Sequence, residues 1–576
     1  MDNNMGLPVK GVTAPKNPEI RGKGFYLMLD KQIAGFVQPD GKGIQFLYLD
    51  GRIESHARIV GNITDERILG LLKTAKGFRE LVDSIGVVVE ITEGDSEAID
   101  FVLQMYGKGE AYSGTKIRQS IPTDGMERII RLADYEWSEA DETPGQIRFE
   151  FPHAGEQAIV SVKLYLRDGF DVPEDREDEN VNLESADYGK LLARSLLHMG
   201  NPARLQKAID RARRGETVTI AFIGGSITQG AGAIPIHTEC YAYKTFQGFC
   251  RLAGKGTEEN VHYIKAGVGG TPSELGMLRY ERDVLRGGSV EPDIVVVEFA
   301  VNDEGDETKG ECYDSLVRKI LSAGNSPAVI LLFAVFSDDW NLQERLDPVG
   351  MAYDLPMVSI KDAVTEQFYA RPDAGRVFSK RQFFYDCFHP TSLGHSVMAD
   401  CILNLFRAAD TMQRMADMLR LDEIEPPLGG EFETVRMIDR ESAEKDIHID
   451  CGSFFHRDEE LQAVEMDCNL SPVKEFPYNW MHRADAGNET PFSMEITCSA
   501  LLLIYKDSGS GAVGRAEVLV DGEKVFTADP HVNGWIHCNA AICFRGWKNK
   551  RYHVEVRMAP GDEEKEFTIL GFGYVG

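Results

Sequence analysis

Four short stretches of this sequence carry the residue types that acyl transfer needs. Ser226 follows two glycines at the end of an apolar run, and Asn302 follows another apolar run. The glycines of Gly267–Gly270 free a backbone N–H to point into a cleft, and Asp386 precedes His389 by three residues. A serine nucleophile, a carboxamide donor, a backbone donor and an Asp–His pair are the components of a nucleophilic acyl-transfer site.

The loop that contains Ser226 does not match the common phosphate-binding patterns. It has neither GxxxxGK[ST] nor GxGxxG, and no lysine follows its glycines. It also departs from GxSxG, because Thr228 stands two residues after the serine. On this loop alone, a hydrolase nucleophile and a structural turn both remain open.

A parallel sheet would bring these stretches to one edge. Apolar runs that alternate with amphipathic segments predict strands buried between two layers of helices. The first predicted strand is the apolar run within Thr217–Gly230 that ends in two glycines before Ser226. The others are Val261–Ala266, Asp293–Phe299, Ala328–Phe336 and Pro356–Ile360. The predicted helices are Pro202–Arg214, Ser273–Leu285 with Ser273 as N-cap, and a last helix that Thr391 or Ser392 caps and that runs to Met412. Residues 186–415 are therefore predicted to form a three-layer α/β domain, with the candidate residues at the carboxyl edge of its sheet.

The flanking segments show a different periodicity. Residues 1–185 contain period-two alternation typical of antiparallel sheets, and an acidic run, Asp171–Asn180, predicts a linker after them. A second linker is predicted at Asp422–Gly430 from its Pro-Pro and Gly-Gly pairs. Residues 425–576 contain further strand patterns, with Asp521-Gly522 predicting a type I′ hairpin, so a C-terminal β-sandwich is expected.

The four stretches resemble the conserved blocks of the SGNH hydrolases, also called the GDSL esterase superfamily. They occur in the family's order over about 165 residues: Gly224–Thr228 (GGSIT), Gly270, Asn302, and Asp386 to His389. The resemblance covers only the middle domain and implies a flavodoxin-like sheet. The GGSIT variant and the flanking β-rich domains are most similar to carbohydrate O-acetyl esterases of that superfamily.

The resemblance also implies a mechanism. Ser226 would attack the ester carbonyl, His389 would act as general base, and Asp386 would orient the imidazole. The backbone N–H groups of Ser226 and Gly270 and the Asn302 amide would form the oxyanion hole. No metal or cofactor is expected.

Two positions depart from the family pattern. Ala300 stands where the third block usually has glycine, which would matter only if the backbone there needs positive φ. Lys265 stands where many members have asparagine before the second-block glycine, and it is interpreted as a surface residue at a strand end.

Other residues receive weaker interpretations. Asp303 is expected to be structural, and His395 is expected to be an ordinary residue of the last helix without a chemical role. Trp340 follows the fourth strand at the active edge, where it would either stack on a sugar ring or cap the core. Trp480 and Trp535 are left open between carbohydrate contact and core packing.

Composition limits the partners. A net charge of −30 at pH 7 disfavours nucleic acid and anionic membrane surfaces. No stretch is long and apolar enough for a membrane span, the first residues lack a secretory apolar segment, and the ten cysteines show no zinc-like spacing. We therefore expect a cytoplasmic protein with reduced thiols.

The leading hypothesis is a serine esterase that removes acetyl groups from an oligosaccharide derived from a plant polysaccharide. One alternative is a lipid, thioester or sialate esterase of the same superfamily. The other is a catalytically inactive carbohydrate-binding or scaffold protein. Homo-oligomerisation is left open.

Overall fold

The computed structural model describes residues 23–37, 43–50, 53–108, 113–172, 178, 180–254, 259–441, 447–469, 471–486 and 490–576. These residues form an N-terminal β-rich region, a central α/β region and a C-terminal β-rich region, which confirms the predicted fold class. Most of the predicted linker Asp171–Asn180 lies outside the described residues. The domain boundaries themselves remain predictions.

The N-terminal region consists of two antiparallel sheets around one hydrophobic core. Its strands are β1 (Gly24–Ala34), β2 (Phe36–Val37), β3 (Ile44–Asp50), β4 (Val82–Glu93), β5 (Ala98–Gly107), β6 (Lys116–Pro122), β7 (Arg128–Arg131), β8 (Asp141–Glu150) and β9 (Gln157–Leu166). Its helices are α1 (Ile53–Ile59), α2 (Glu66–Leu71) and α3 (Ala75–Leu81). The sheet orders are β1-β9-β4-β7 and β2-β3-β8-β5-β6, and both sheets contribute to the same buried cluster.

The central region has helices on both faces of a six-stranded sheet. Its strands are β10 (Leu196–His198), β11 (Val218–Gly224), β12 (Val261–Gly267), β13 (Ile294–Glu298), β14 (Ala328–Phe333) and β15 (Met357–Ser359). Its helices are α4 (Ala186–Ser195), α5 (Ala203–Arg213), α6 (Ser226–Gln229), α7 (Ile236–Glu239), α8 (Tyr241–Leu252), α9 (Ser273–Asp283), α10 (Glu311–Leu321), α11 (Gln343–Ala352), α12 (Ile360–Phe368), α13 (Lys380–Phe383) and α14 (Ser392–Thr411).

The strand order of this sheet is that of flavodoxin-like folds. The order is β10-β15-β14-β13-β11-β12, in which β11 to β15 are parallel and only β10 is antiparallel to its neighbour. Numbered along the chain, the five parallel strands follow the order 2-1-3-4-5, so the direction of winding reverses between β11 and β13. Loops that leave the carboxyl ends of these two strands are separated there and form a crevice, which is where ligands bind in open α/β sheets.

Three of the local predictions that differ from the structure concern the N-cap of α9 and the ends of β13 and β14. Helix α9 has Pro272 rather than Ser273 as its N-cap, and the Ser273 N–H donates to the Asp303 carboxylate at 2.8 Å. Strand β13 ends one residue earlier than predicted, because the Phe299 carbonyl accepts the N–H of Asn302 in a turn. Strand β14 ends at Phe333, three residues earlier than predicted. By contrast, α14 begins after the N-cap Thr391 and ends at the C-cap Met412, as predicted.

The C-terminal region again contains two antiparallel sheets. Its strands are β16 (Arg436–Ile438), β17 (His448–Asp450), β18 (Ala463–Val464), β19 (Val473–Lys474), β20 (Trp480–His482), β21 (Phe492–Cys498), β22 (Ala500–Asp507), β23 (Ala516–Val520), β24 (Glu523–Ala528), β25 (His537–Phe544), β26 (Lys550–Met558) and β27 (Phe567–Val575). The sheets are β16-β27-β22-β25, with β20 also paired to β27, and β17-β21-β26-β23-β24. Asp521 and Gly522 both have positive φ, as a type I′ hairpin requires.

The first C-terminal sheet shares a hydrophobic core with the central region. Buried residues of β22, β25 and β27 belong to the same cluster as those of α9, α10 and β13. Gly573 allows this close contact, because a Cβ at that position would lie 2.3 Å from a methyl group of Leu278 on α9. The two regions therefore pack directly on each other beside the α9 end of the cleft.

All ten cysteines are free, and Cys401 and Cys498 are buried as the sequence predicts. Within the described ranges, no helix combines the length and apolar character needed to cross a bilayer.

Candidate active site

The structure brings Ser226, His389 and Asp386 into one hydrogen-bonded row. Ser226 Oγ lies 2.9 Å from His389 Nε2, and His389 Nδ1 lies 2.9 Å from Asp386 Oδ2. Because a carboxylate can only accept, Nδ1 carries the proton of the neutral ring, and Nε2 is left to accept the serine proton. This is the geometry of a nucleophile, its general base and an orienting acid.

Asp386 is held as a carboxylate by its own loop. Its Oδ1 accepts the N–H groups of Phe388 and His389, both at 2.7 Å. Burial opposes ionisation of Asp386, but the charge and hydrogen bond of His389, the nearby His56 and the Phe388 N–H together hold its pKa below the usual range. The ionised form is therefore present throughout the pH range in which an imidazole base works.

Ser226 is the first residue of the short helix α6, directly after β11. Lys265 donates from Nζ to the carbonyl of Gln229 at the end of this helix, at 2.8 Å. The interpretation of Lys265 as a surface residue was wrong, since it is fully buried. Lys265 therefore satisfies a terminal carbonyl at the carboxyl end of α6 and stabilises the short helix that begins at Ser226.

The candidate oxyanion donors lie beside the nucleophile. A Cβ at Gly225 would be 2.3 Å from the side-chain oxygen of Asn302, so the absence of a side chain at Gly225 lets the carboxamide approach the Ser226 turn. A Cβ at Gly269 would be 3.7 Å from Ser226 Cβ, and Gly270 has φ of +74° in the same loop. The Asp303 carboxylate links the Asn302 loop to the start of α9 through Ser273, which agrees with a structural role for Asp303.

A buried carboxyl group under this turn was missed by the sequence analysis. Glu298 is fully buried at the end of β13 and accepts from the Thr228 hydroxyl at 3.1 Å. Burial raises the pKa of Glu298 to about 7, against hydrogen bonds from Thr228 and the Gly225 N–H. Glu298 therefore ties the nucleophile turn to the neighbouring strand. Its only sequence signal was a charged residue inside an otherwise apolar strand.

Two further interpretations concern Ala300 and His395. Ala300 is fully buried and is not among the residues with positive φ, so its methyl group fits where the family pattern has glycine. His395 is buried in α14, with Nε2 3.0 Å from the Ala231 carbonyl and Nδ1 3.2 Å from the Tyr241 N–H. Its ring nitrogens are thus engaged by backbone groups, as expected of a structural histidine.

The C-terminal region contacts the Gly269–Gly270 loop beside the nucleophile. His537 Nε2 lies 3.0 Å from the Gly270 carbonyl, and a Cβ at Gly270 would be 2.8 Å from Trp535 Cζ2. Gln462 donates to the Gly269 carbonyl at 2.8 Å. Trp535 is 42% exposed, so its indole offers a free surface next to the Gly270 loop. Trp480 instead is 3% exposed and packs on Phe492 in the C-terminal core, which excludes it from the cleft.

An aromatic row leads away from the catalytic histidine on another side. Phe388 packs edge-on against Phe336 at 4.9 Å between ring centroids, and Phe336 stacks on Trp340 at 5.6 Å. Trp340 is half-buried and also packs against the central hydrophobic clusters. It therefore caps the core while keeping part of its ring accessible.

One group of residues has the composition of a metal site. Glu274, Asp306 and Cys312 are buried, and one potential ligand atom from each lies within 4.8 Å of the others. Burial and then the neighbouring Asp306 raise the pKa of Glu274 to about 9, so Glu274 is protonated at neutral pH. The Asp306 carboxylate accepts from the Thr308 N–H and hydroxyl and from the Gly310 N–H, and we assign no cation to the group.

The sheet order and the Ser226–His389–Asp386 row agree with the resemblance to SGNH hydrolases seen in the sequence. The sequence profile of the GDSL-like Lipase/Acylhydrolase family matches residues 222–397, the segment that contains all of the candidate catalytic residues. This part of the chain is a GDSL-like lipase/acylhydrolase domain. A comparison with the curated proteins found no match.

Solved structures extend the similarity beyond this domain. The chain is 26% identical to a two-domain esterase (CEX) active on acetylated mannans, with a TM-score of 0.56 over 66% of this chain and 98% of the other. The same esterase co-crystallized with mannopentaose gives a TM-score of 0.54 at 26% identity, covering 66% of this chain and 97% of the other.

Proposed function

We propose that this protein is a carbohydrate O-acetyl esterase that works through an acetyl-enzyme on Ser226. The observation that carries the proposal is the convergence of Ser226, His389 and Asp386, at 2.9 Å for each of the two linking contacts, next to Asn302 and Gly270.

The reaction follows from this geometry in two displacements. Ser226 Oγ attacks the acetyl carbonyl while His389 Nε2 takes its proton. The imidazolium then gives this proton to the departing sugar oxygen, which leaves as a hydroxyl group. Asp386 stabilises the imidazolium that forms between the two steps. Water, deprotonated by His389, attacks the acetyl-enzyme and releases acetate.

The oxyanion of each tetrahedral intermediate would be held by three donors. These are the N–H groups of Ser226 and Gly270 and the Asn302 carboxamide. Such preorganised donors are worth about 100- to 1,000-fold each in turnover.

Two observations support a saccharide as the acyl carrier. The similar two-domain esterase is active on acetylated mannans. In addition, the exposed Trp535 lies against the Gly270 loop, and the partly exposed Trp340 ends the aromatic row from Phe388. Flat aromatic surfaces beside a nucleophile suit the apolar faces of sugar rings. Acetylated manno-oligosaccharides are therefore the first substrates to test.

The test is mass spectrometry of acetylated manno-, xylo- and pectic oligosaccharides after incubation with the protein. We expect loss of acetyl groups from one class, no loss with Ser226→Ala, and full activity with the exposed Ser289→Ala as matched control. p-Nitrophenyl esters of increasing chain length provide the second arm. A preference for acyl chains of eight or more carbons would refute the acetyl-saccharide proposal in favour of a lipid esterase.

Trp535 offers a direct test of the sugar-binding wall. Trp535→Ala should raise KM for the oligosaccharide and leave KM for p-nitrophenyl acetate unchanged. Trp547→Ala is the matched control, because Trp547 is similarly exposed, at 40%, but stacks on Phe544 instead of facing the Gly270 loop. Equal effects of the two substitutions would remove Trp535 from the proposal.

A cytoplasmic location is also part of the proposal, and the ten free cysteines support it. Fractionation of the producing cells tests it.

A further inference from the structure

The loop that carries Asp386 and His389 is anchored in the N-terminal region. Tyr385, directly before Asp386, is 7% exposed and belongs to the hydrophobic core that the two N-terminal sheets share. The other buried residues of that cluster come from the chain before residue 170. Because Tyr385 is closely packed in this core, the loop that carries it is held against the N-terminal region.

Elements of the N-terminal region contact Tyr385 on two sides. The His56 ring, on α1, meets the Tyr385 ring edge-on with 6.4 Å between centroids. Lys31 Nζ, on β1, lies 5.3 Å from the centroid of the same ring. Both contacts have geometries that are attractive for an aromatic ring.

The residue after Asp386 is held by the same region. Cys387 Sγ lies 3.5 Å from the Ser55 carbonyl on α1. The residues on either side of the catalytic carboxylate thus both contact the N-terminal region, while Asp386 itself points to His389.

The charges at this interface also involve the catalytic carboxylate. Burial lowers the pKa of His56 to about 4 and that of Lys31 to about 8, and in both cases the Asp386 charge is the largest effect that opposes this lowering. The charges of Lys31 and His389 also lower the pKa of His56. For Lys31, the charge of Asp178 raises the pKa and that of Arg381 lowers it. At neutral pH a neutral His56 and a largely protonated Lys31 therefore surround the Asp386 loop.

We propose that the N-terminal region is part of the catalytic apparatus, with Tyr385 and His56 as positioning residues that hold Asp386 in line with His389. Neither residue touches the reacting atoms. They act by fixing the loop, because displacement of a catalytic group by about 1 Å can cost about 100-fold in rate. The inference rests on the proposed function, because it takes Ser226, His389 and Asp386 as the catalytic residues.

The test compares two interface variants with a control in the same core. Tyr385→Leu and His56→Leu remove the edge-on contact but keep apolar groups at the interface, and Tyr385→Phe keeps the ring. Ile121→Ala is the control: Ile121 is fully buried in the same core but lies on β6, at the opposite edge of the two-sheet region from β1. All variants are made in the full chain, and their thermal unfolding is recorded.

We expect Tyr385→Leu and His56→Leu to lower kcat on p-nitrophenyl acetate about 10- to 100-fold with KM within twofold. Tyr385→Phe should stay within about threefold of the wild type. Ile121→Ala should lower the unfolding temperature and leave kcat and KM unchanged.

A second measurement separates this inference from the proposed function. The rate at which a fluorophosphonate modifies Ser226 reports activation of the serine, whatever the natural ester is. A wild type that reacts with the probe but deacetylates no saccharide would refute the saccharide substrate alone. Tyr385→Leu and His56→Leu proteins that react with the probe and p-nitrophenyl acetate like Ile121→Ala would overturn the positioning role. Where Tyr385→Leu fails to fold, His56→Leu decides.

Discussion

Gly270→Ala tests two features of the active site with one methyl group. Gly270 has φ of +74°, a conformation that costs an L-residue about 1–2 kcal/mol. The added Cβ would also lie 2.8 Å from Trp535 Cζ2 and 2.9 Å from His537 Nε2. Overpacking of this kind costs about 1–3 kcal/mol. The substitution should therefore lower the free energy of unfolding by about 2–5 kcal/mol.

The effect on turnover should exceed the effect on substrate binding. Movement of the Gly270 N–H away from the oxyanion would remove one donor, which lowers kcat by about 100- to 1,000-fold. The assay is kcat and KM on p-nitrophenyl acetate, together with thermal unfolding of the same preparations.

Gly287→Ala is the matched control for this experiment. Gly287 has φ of +65°, but a Cβ there would meet nothing within 4 Å. It should reproduce the backbone cost alone and keep full activity. If Gly270→Ala kept kcat within twofold of the wild type, the Gly270 loop would not be an oxyanion donor and the assignment would be wrong.

Three further substitutions test the rest of the site. Asp386→Asn should lower kcat by about 10,000-fold with little change in KM, because the amide no longer selects the required tautomer of His389; a loss below tenfold would contradict its orienting role. Asn302→Ala should lower kcat by about 100- to 1,000-fold at unchanged unfolding temperature, measured on the same ester. Glu298 has a pKa of about 7 in the folded protein against an ordinary value of 4.5. The stabilisation that this raised pKa gives the folded protein is complete below pH 4.5 and is lost as the pH rises through 7. The free energy of unfolding of Glu298→Gln, measured in urea, should therefore rise by about 3 kcal/mol relative to that of the wild type between pH 4.5 and pH 8. A difference that does not change with pH would refute the burial cost assigned to Glu298.

The elements of the central region were predictable because each has a strong local signal. Fully apolar runs between amphipathic helices predict the five parallel strands, and their carboxyl ends place Ser226 and Asn302 at the point where the winding reverses. The Asp521-Gly522 turn was equally clear, since both residues accept positive φ. Strand ends were predicted less well, because the turn after Phe299 is closed by a local backbone hydrogen bond from Asn302 that the apolar pattern does not reveal.

What the sequence did not reveal is how the flanking regions reach the site. The contact of His537 with Gly270 joins residues 267 positions apart, and no periodicity encodes such a pair. Lys265 was misplaced for the same reason, because its partner, the Gln229 carbonyl, is a backbone group at the end of another element. Glu298 lies inside an apolar run, and the strand pattern there did not indicate that its carboxyl group is buried under the nucleophile turn.

The hydrophobic core that α9 shares with the C-terminal sheet has a consequence for protein engineering. Leu278 fills the space above Gly573 so closely that neither surface would remain stable in water after separation. Cutting the chain near residue 430 should therefore expose apolar surface on both fragments. Exchange of the C-terminal region between related proteins would need α9 to be exchanged with it.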